Sequence, residues 1–253
     1  MNPNDVQVQI QTMTDQHLET FIRCPQRFYY QFLLKERGRA HITWEESLQQ
    51  LINKVVHQFF LFPRHKRNNH QLIMLIHEHA KHLSYHAFES KVHYVTALAK
   101  ITDHLLAFLK QDTMNTEPII LYEKWSTYIE EVKARVSILF EVVEGKDEAF
   151  VIKKFVTSFD ESLTKLFDHL MTVFSLEAFQ KLPERIEVYS LLNGRKHVYR
   201  PCEADVATGY DYLQLLKESV EYPAGYMKAD DQCEQCPFQK KCEKVQVERP
   251  FYH

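Results

Sequence analysis

Apolar positions in the first half of the chain recur with a helical period. Leu18, Phe21 and Ile22 follow Thr14-Asp15, a pair suited to cap a short helix that stops at Pro25. Gln26 to Leu34 continues with a heavily aromatic face. From Trp44 to Phe62, the residues Leu48, Leu51, Ile52, Val55, Val56 and Phe59 form the stripe of an amphipathic helix, and Pro63 ends it. Arg64-His65-Lys66-Arg67-Asn68-Asn69 reads as a basic polar loop. Further helices are predicted over 71–89 and 91–110.

At Glu117-Pro118 the period changes. Strands are predicted over 119–129, 132–144 and 149–157, joined after the second by the turn Gly145-Lys146-Asp147-Glu148, so the trio forms an antiparallel meander. Consecutive apolar residues in the second strand point to burial on both sides. Ser158-Phe159-Asp160-Glu161 is a helix entry, and 163–179 is helical. Arg185–Leu192 and Lys196–Tyr199, joined by Asn193-Gly194-Arg195, form a hairpin, and 205–220 is a last helix. The predicted class is α/β (α+β) with a central mixed sheet. One domain, 1–253, comprises a helical N-terminal section (1–116), a β-β-β-α-β-β-α core (117–221) and a cysteine-bearing tail (222–253).

Composition narrows the function classes. With 45% hydrophobic and 26% charged residues the chain is a globular sequence, not a disordered one. No run of about 18 apolar residues is present, and Met1 to Gln11 is polar, so neither a membrane partner nor a secretory leader is expected. A reducing, cytoplasmic location follows as the expectation. Neither a dinucleotide fingerprint nor a phosphate-binding P-loop occurs among only five glycines, which disfavours a nucleotide-driven motor. The net charge of −3 hides an asymmetry: residues 21–100 carry 12 Lys+Arg against 5 Asp+Glu. Such a stretch suits a cationic face; its plainer reading is a solvated helical surface.

Four of the five cysteines are arranged for metal chemistry. Cys233, Cys236 and Cys242 lie in Cys233-Glu234-Gln235-Cys236-Pro237-Phe238-Gln239-Lys240-Lys241-Cys242, a spacing that lets three thiolates converge from one loop. Cys24, in Arg23-Cys24-Pro25-Gln26-Arg27-Phe28-Tyr29-Tyr30, is the candidate fourth ligand, whether to zinc or to an iron–sulfur cubane. Cys202 reads as an ordinary half-buried residue. His79, His82 and His86 share a helical face that could gather imidazoles for zinc, but no acidic or thiol partner is visible nearby and polar helix faces often carry histidine.

The early Cys24-Pro25-Gln26-Arg27-Phe28-Tyr29-Tyr30 segment and the late triplet resemble the iron–sulfur branch of the PD-(D/E)XK nuclease superfamily, which includes AddB-type recombination nuclease domains and CRISPR-associated RecB-like exonucleases. The resemblance spans nearly the whole chain. It implies a restriction-endonuclease-like core and a structural 4Fe–4S cluster on Cys24, Cys233, Cys236 and Cys242, with zinc as the alternative. It also implies a metal-binding histidine on a helix, matched here by His57, and acids and a lysine on the following strands. Glu123 matches an acidic position and Lys154 the lysine, but Ser137 stands where the first strand acid belongs, and Ile152 or Lys153 replaces the second. Glu141 and Glu144 are possible substitute ligands. Carboxylates are needed there to hold Mg²⁺ or Mn²⁺, and a lysine in the pocket repels such an ion. The implied function is therefore DNA-associated and catalytically degenerate, acting in DNA binding, repair or recombination. Arg23, Arg27, Lys54, Arg64, Lys66 and Arg67 would contact backbone phosphates of single-stranded DNA or ends, beside a possible helicase or recombination partner. The alternatives are an active metal-dependent exonuclease or endonuclease with relocated acids, and a zinc-stapled, non-catalytic scaffold. The aromatic group Phe28-Tyr29-Tyr30-Phe32 is expected to pack against the cysteine loop, or else to stack bases.

Overall fold

A computed structural model of the chain describes residues 8–38, 42–112, 117–146, 149–227, 233 and 236–242. Asp147 and Glu148 of the predicted turn, and tail segments 228–232, 234–235 and 243–253, lie outside the described residues.

The fold is mixed α/β. In chain order it runs β1 (Thr12–Thr14), α1 (Asp15–Arg23), α2 (Pro25–Phe28) with a π-helical extension (Tyr29–Leu33), α3 (Trp44–Leu61), α4 (Asn69–Ala80) and α5 (Lys91–Asp112). Then come β2 (Pro118–Ile129), β3 (Ala134–Lys146), β4 (Ala149–Val156), α6 (Glu161–Phe179), β5 (Arg185–Ser190), β6 (Arg195–Tyr199) and α7 (Glu203–Glu221). The strands make a six-stranded mixed sheet in the order β1-β3-β4-β5-β6, with β2 also paired to β3. Two compact units result, one from 1–41, 128–137 and 210–253, the other from 42–127 and 138–209. Each draws on more than one of the sections read along the sequence.

The first unit gathers both ends of the chain. Thr14 caps α1: its hydroxyl accepts from the His17 amide at 3.1 Å, as Ser/Thr caps do for an unsatisfied first-turn N–H. β1 runs parallel to the start of β3, with Thr12 opposite Arg135 and Thr14 opposite Ser137. Three residues carry no readable alternation, so this strand was invisible to pattern. The Val8 amide donates to the Glu221 carbonyl at 3.1 Å, and the Ile10 amide to the Glu221 carboxylate at 3.0 Å. Phe21, Phe28 and Tyr29 close around the ring of Tyr226.

In the second unit α3 buries the predicted stripe. Leu48, Ile52, Val55, Val56 and Phe59 pack with Ile101 and Leu105 of α5 and with Val142, Phe155 and Tyr189 of the sheet. On the other sheet face Phe174 and Phe179 of α6 meet Phe140. Cover on both faces explains the unbroken apolar runs in β3 and β4. β4 is antiparallel to β3 and parallel to β5, which the α6 crossover permits, and β6 returns antiparallel to β5. Gly194 turns that hairpin at φ +67°, where a side chain would also strike His104.

One predicted helix is too long. The 71–89 segment ends its α-helix at Ala80, and the chain continues through a 3₁₀ turn at Tyr85–Ala87. Leu83, Ala87 and Phe88 turn inward onto the core, and Ser90 starts α5 by accepting from the His93 amide at 3.0 Å. Tertiary burial overrides a helical propensity that no glycine or proline interrupts.

Candidate functional site

Cys24 ends α1 and precedes Pro25, which opens α2 at the one helical position where a missing N–H is harmless. It is buried. Cys236 and Cys242 sit on a short turn-helix: the Cys236 amide donates to the Cys233 carbonyl at 3.1 Å, and the Cys242 amide to the Phe238 carbonyl at 3.0 Å. All four thiols line one small cavity with Gln26, Arg27, Tyr30, Phe238 and Gln239. The structure thus brings Cys24 to the C-terminal trio. None of the five cysteines is in a disulfide, and Cys202 stands exposed. Tyr30 stacks on Phe238 with centroids 5.6 Å apart, so this aromatic group packs beside the cysteine loop. Gly38 abuts Pro237 so closely that a β-carbon there would come within 2.7 Å of the proline ring. The Lys241 ammonium pairs with Glu36. Among the described residues no three histidine, cysteine or acidic side chains converge tightly enough to bind one ion. The lining nevertheless offers four thiols and no carboxylate, a donor set that fits soft metals.

In the second unit β3 and β4 part after the Val142–Lys153 pair. Polar side chains fill the fork. The Phe155 amide, left without a strand partner on β3, donates to the Glu141 carboxylate at 2.9 Å. Gln49 of α3 takes the next strand groups, donating to the Phe155 carbonyl at 2.7 Å and accepting from the Thr157 amide at 3.0 Å. Lys153, 3% exposed, forms a buried ion pair with Glu144. Glu187 of β5 is 1% exposed and accepts from Arg185 Nε at 2.7 Å, Tyr189 Oη at 2.5 Å and Lys196 Nζ at 3.0 Å. Burial opposes its ionisation, yet these donors hold its carboxyl below the usual range.

The predicted catalytic residues are divided by this geometry. His57 of α3 meets the ring of Tyr122 on β2, centroids 4.9 Å apart. Glu123, the next residue, is exposed and accepts from the Trp125 indole at 3.3 Å, and Trp125 packs on Phe179 of α6. Lys154 reaches over Phe167, also of α6, at 4.8 Å. His57 therefore belongs to the α3 side of the sheet, and Glu123 and Lys154 to the α6 side. The reason is strand alternation: Lys153, not Lys154, shares the face of Phe155 and Val142. Ser137 is buried on β3 opposite Thr14.

Of the predicted phosphate contacts, Arg23, Lys54, Arg64 and Lys66 are exposed, and Arg27 lines the cysteine cavity. Arg67 is a correction. It is buried, donating to the Phe60 and Phe62 carbonyls at 2.9 Å each and pairing with Glu117. The carbonyls at the C-terminal end of α3 lack helical partners, and a guanidinium satisfies them.

Sequence reasoning passed over Tyr122. Its backbone is left-handed at φ +48° inside a strand. Its hydroxyl is buried with no hydrogen-bond partner among the described residues. Burial, then the nearby Glu141 carboxylate, push the phenol far above its ordinary range, so it stays protonated. Asp168 of α6 was missed too. It is buried and holds His197 of β6 at 2.8 Å, and burial, countered by His197, pushes its carboxyl up to about 6. Neither residue lies in a motif, so no sequence signal marked them.

No protein-family model and no curated protein matches the sequence. Among solved structures, the chain is similar to SSO0001, with 12% identity and a TM-score of 0.44 over 94% of this chain and 88% of that one. It is also similar to a protein from Eubacterium rectale named as a candidate exonuclease, with 10% identity and a TM-score of 0.49 over 96% of this chain and 90% of that one.

Proposed function

We propose that the chain is a DNA-associated protein of nuclease-like fold whose four cysteines hold a 4Fe–4S cluster and whose phosphodiesterase centre is degenerate. The observation that carries the reading is the meeting of Cys24 with Cys233, Cys236 and Cys242 on one cavity wall. The cluster would supply a structural cross-link, joining α2 to the C-terminal turn-helix within the first unit. Degeneracy is supported by the fork: the Glu144 carboxylate is already neutralised by the Lys153 ammonium, and Glu141 is engaged by a backbone amide. Such groups are poor ligands for a hard divalent cation. Exposed Arg23, Lys54, Arg64 and Lys66 are the contacts offered to phosphates.

Anaerobic purification tests the metal. A brown protein absorbing broadly near ~400 nm with iron and sulfide supports the cluster. A colourless protein with stoichiometric zinc replaces it with the second reading, a zinc-stapled scaffold, which four thiols in a lining without a carboxylate also favour. Cleavage assays with Mn²⁺ or Mg²⁺ on single- and double-stranded DNA are expected to give no products above background. Metal-dependent cleavage lost in Glu141→Gln or Glu144→Gln would overturn degeneracy in favour of relocated acids. Absence of DNA binding at low salt would remove the DNA reading.

A further inference from the structure

Helix α5 is apolar on both sides. Ala97, Ile101, Leu105 and Leu109 lie in the core of the second unit. A helix packed by one face ordinarily shows a polar face to solvent. On α5 the outer face instead carries Val92, Val95, Thr96, Ala99 and Ala107, all exposed, Val92 at 76% and Val95 at 61%. A shallow groove runs along it, lined by Val95, Leu98, Ala99, Thr102, Asp103 and Leu106. The Thr102 hydroxyl already donates to the Leu98 carbonyl at 2.8 Å, so covering this residue strands no donor. Between Val92 and Ala107 the only Lys, Arg, Asp or Glu residues are Lys100 and Asp103, one turn apart and both exposed.

We propose that this face of α5 docks a second copy of the chain, the two helices running antiparallel about a two-fold axis that passes between Lys100 and Asp103. A two-fold contact presents the same patch twice, so the patch must complement itself. The charges meet that condition in one direction only. Antiparallel, Lys100 of each copy comes opposite Asp103 of the other, which makes two identical pairs. Parallel and in register, lysine stands against lysine and aspartate against aspartate. The apolar positions obey nearly the same centre. Val95 comes opposite Leu106 of the second copy toward each end of the pairing, and the small side chains of Ala99 and Thr102 let the backbones approach in the middle. A nucleic-acid backbone is a poor occupant, because the one Lys or Arg of this stretch is matched by an acid. The dimer goes beyond the DNA reading and does not depend on it.

Sedimentation velocity of the full chain over a concentration series tests this, with the protein purified anaerobically and kept reduced so that no thiol cross-links two copies. Wild type is expected to dimerise reversibly with a Kd on the order of micromolar. Val95→Glu places a carboxylate in the apolar contact twice and is expected to weaken the dimer at least about tenfold. Asp103→Lys sets lysine against lysine twice, for a loss of about tenfold. Lys100→Asp combined with Asp103→Lys exchanges the charges and is expected to return to within about threefold of wild type, a rescue that damage to α5 alone does not give. The substituted positions are exposed, and circular dichroism confirms that each variant is folded. A chain that stays monomeric up to about 100 µM overturns the proposal and leaves the face to some other occupant. A Val95→Glu variant that dimerises like wild type, or a charge exchange no better than Asp103→Lys alone, overturns it as well.

Discussion

Lys153 is an ammonium placed where water cannot solvate it, and the Glu144 carboxylate pairs with it there. Removing one member of a buried ion pair typically costs about 3–5 kcal/mol, because the survivor keeps its desolvation penalty. Lys153→Ala should therefore lower stability by that amount in urea unfolding, and Lys153→Met with Glu144→Leu should recover most of it. A loss under about 1 kcal/mol for Lys153→Ala would show the pair to be solvated. Asp168 gives a pH signature. Its folded value of about 6 lies above the ordinary carboxylate value of 3.8. Below that ordinary value the group is neutral folded or unfolded, and its contribution is fully present. As pH rises through 6 the unfolded chain ionises more readily, and on the order of 3 kcal/mol is lost. Asp168→Asn should flatten this part of the profile between pH 4 and 7. A variant whose urea midpoints run parallel to wild type would contradict the assignment.

Elements are joined here by polar side chains as much as by apolar stripes. Gln49 binds α3 to the end of β4 where the β3 ladder has stopped. Gln49→Leu keeps the volume but strands the Phe155 carbonyl and the Thr157 amide, so a loss of about 2–4 kcal/mol is expected, with faster amide exchange at Thr157. Unchanged exchange at that amide would remove the clamp. Gly38 works by absence: Gly38→Val must displace Pro237 and with it the loop bearing Cys236. If the cavity holds the metal proposed above, Gly38→Val should reduce metal content at unchanged secondary structure, by metal analysis and circular dichroism. A variant retaining full metal occupancy would show that the loop can move without consequence.

At the scale of the whole molecule, both chain ends enter one unit, fastened by the Glu221 contacts, the Tyr226 aromatic group and the four-cysteine wall. A metal there would act as a long-range cross-link, which restricts the unfolded chain more strongly the longer the loop it closes. Cys24→Ser and Cys236→Ser should each lower the melting temperature, and the double variant should fall no further than the worse single one, since either removes the same clasp. Additive losses in the double variant would mean that the thiols act separately. Among the described residues no helix is long and apolar enough to cross a membrane.

Much of this was legible along the chain because its causes are local. The α3 stripe from Leu48 to Phe59 follows from helical periodicity, the Thr14 cap from side-chain chemistry, and the Asn193-Gly194 turn from the conformational freedom of glycine. The cysteine spacing marked the triplet, and its chemistry asked for a fourth partner. Other features arise only when distant segments pack. Whether Glu123 or Tyr122 faces His57 depends on strand phase and a left-handed residue, and one position of slip exchanges the two faces. Arg67 looks like any residue of a basic loop until the end of α3 presents carbonyls to it. Lys153 reads as the loss of an acid, and only the register with β3 makes it the partner of Glu144. Periodicity and caps are set by neighbours in sequence, whereas burial and charge pairing are set by neighbours in space, and these the fold alone supplies.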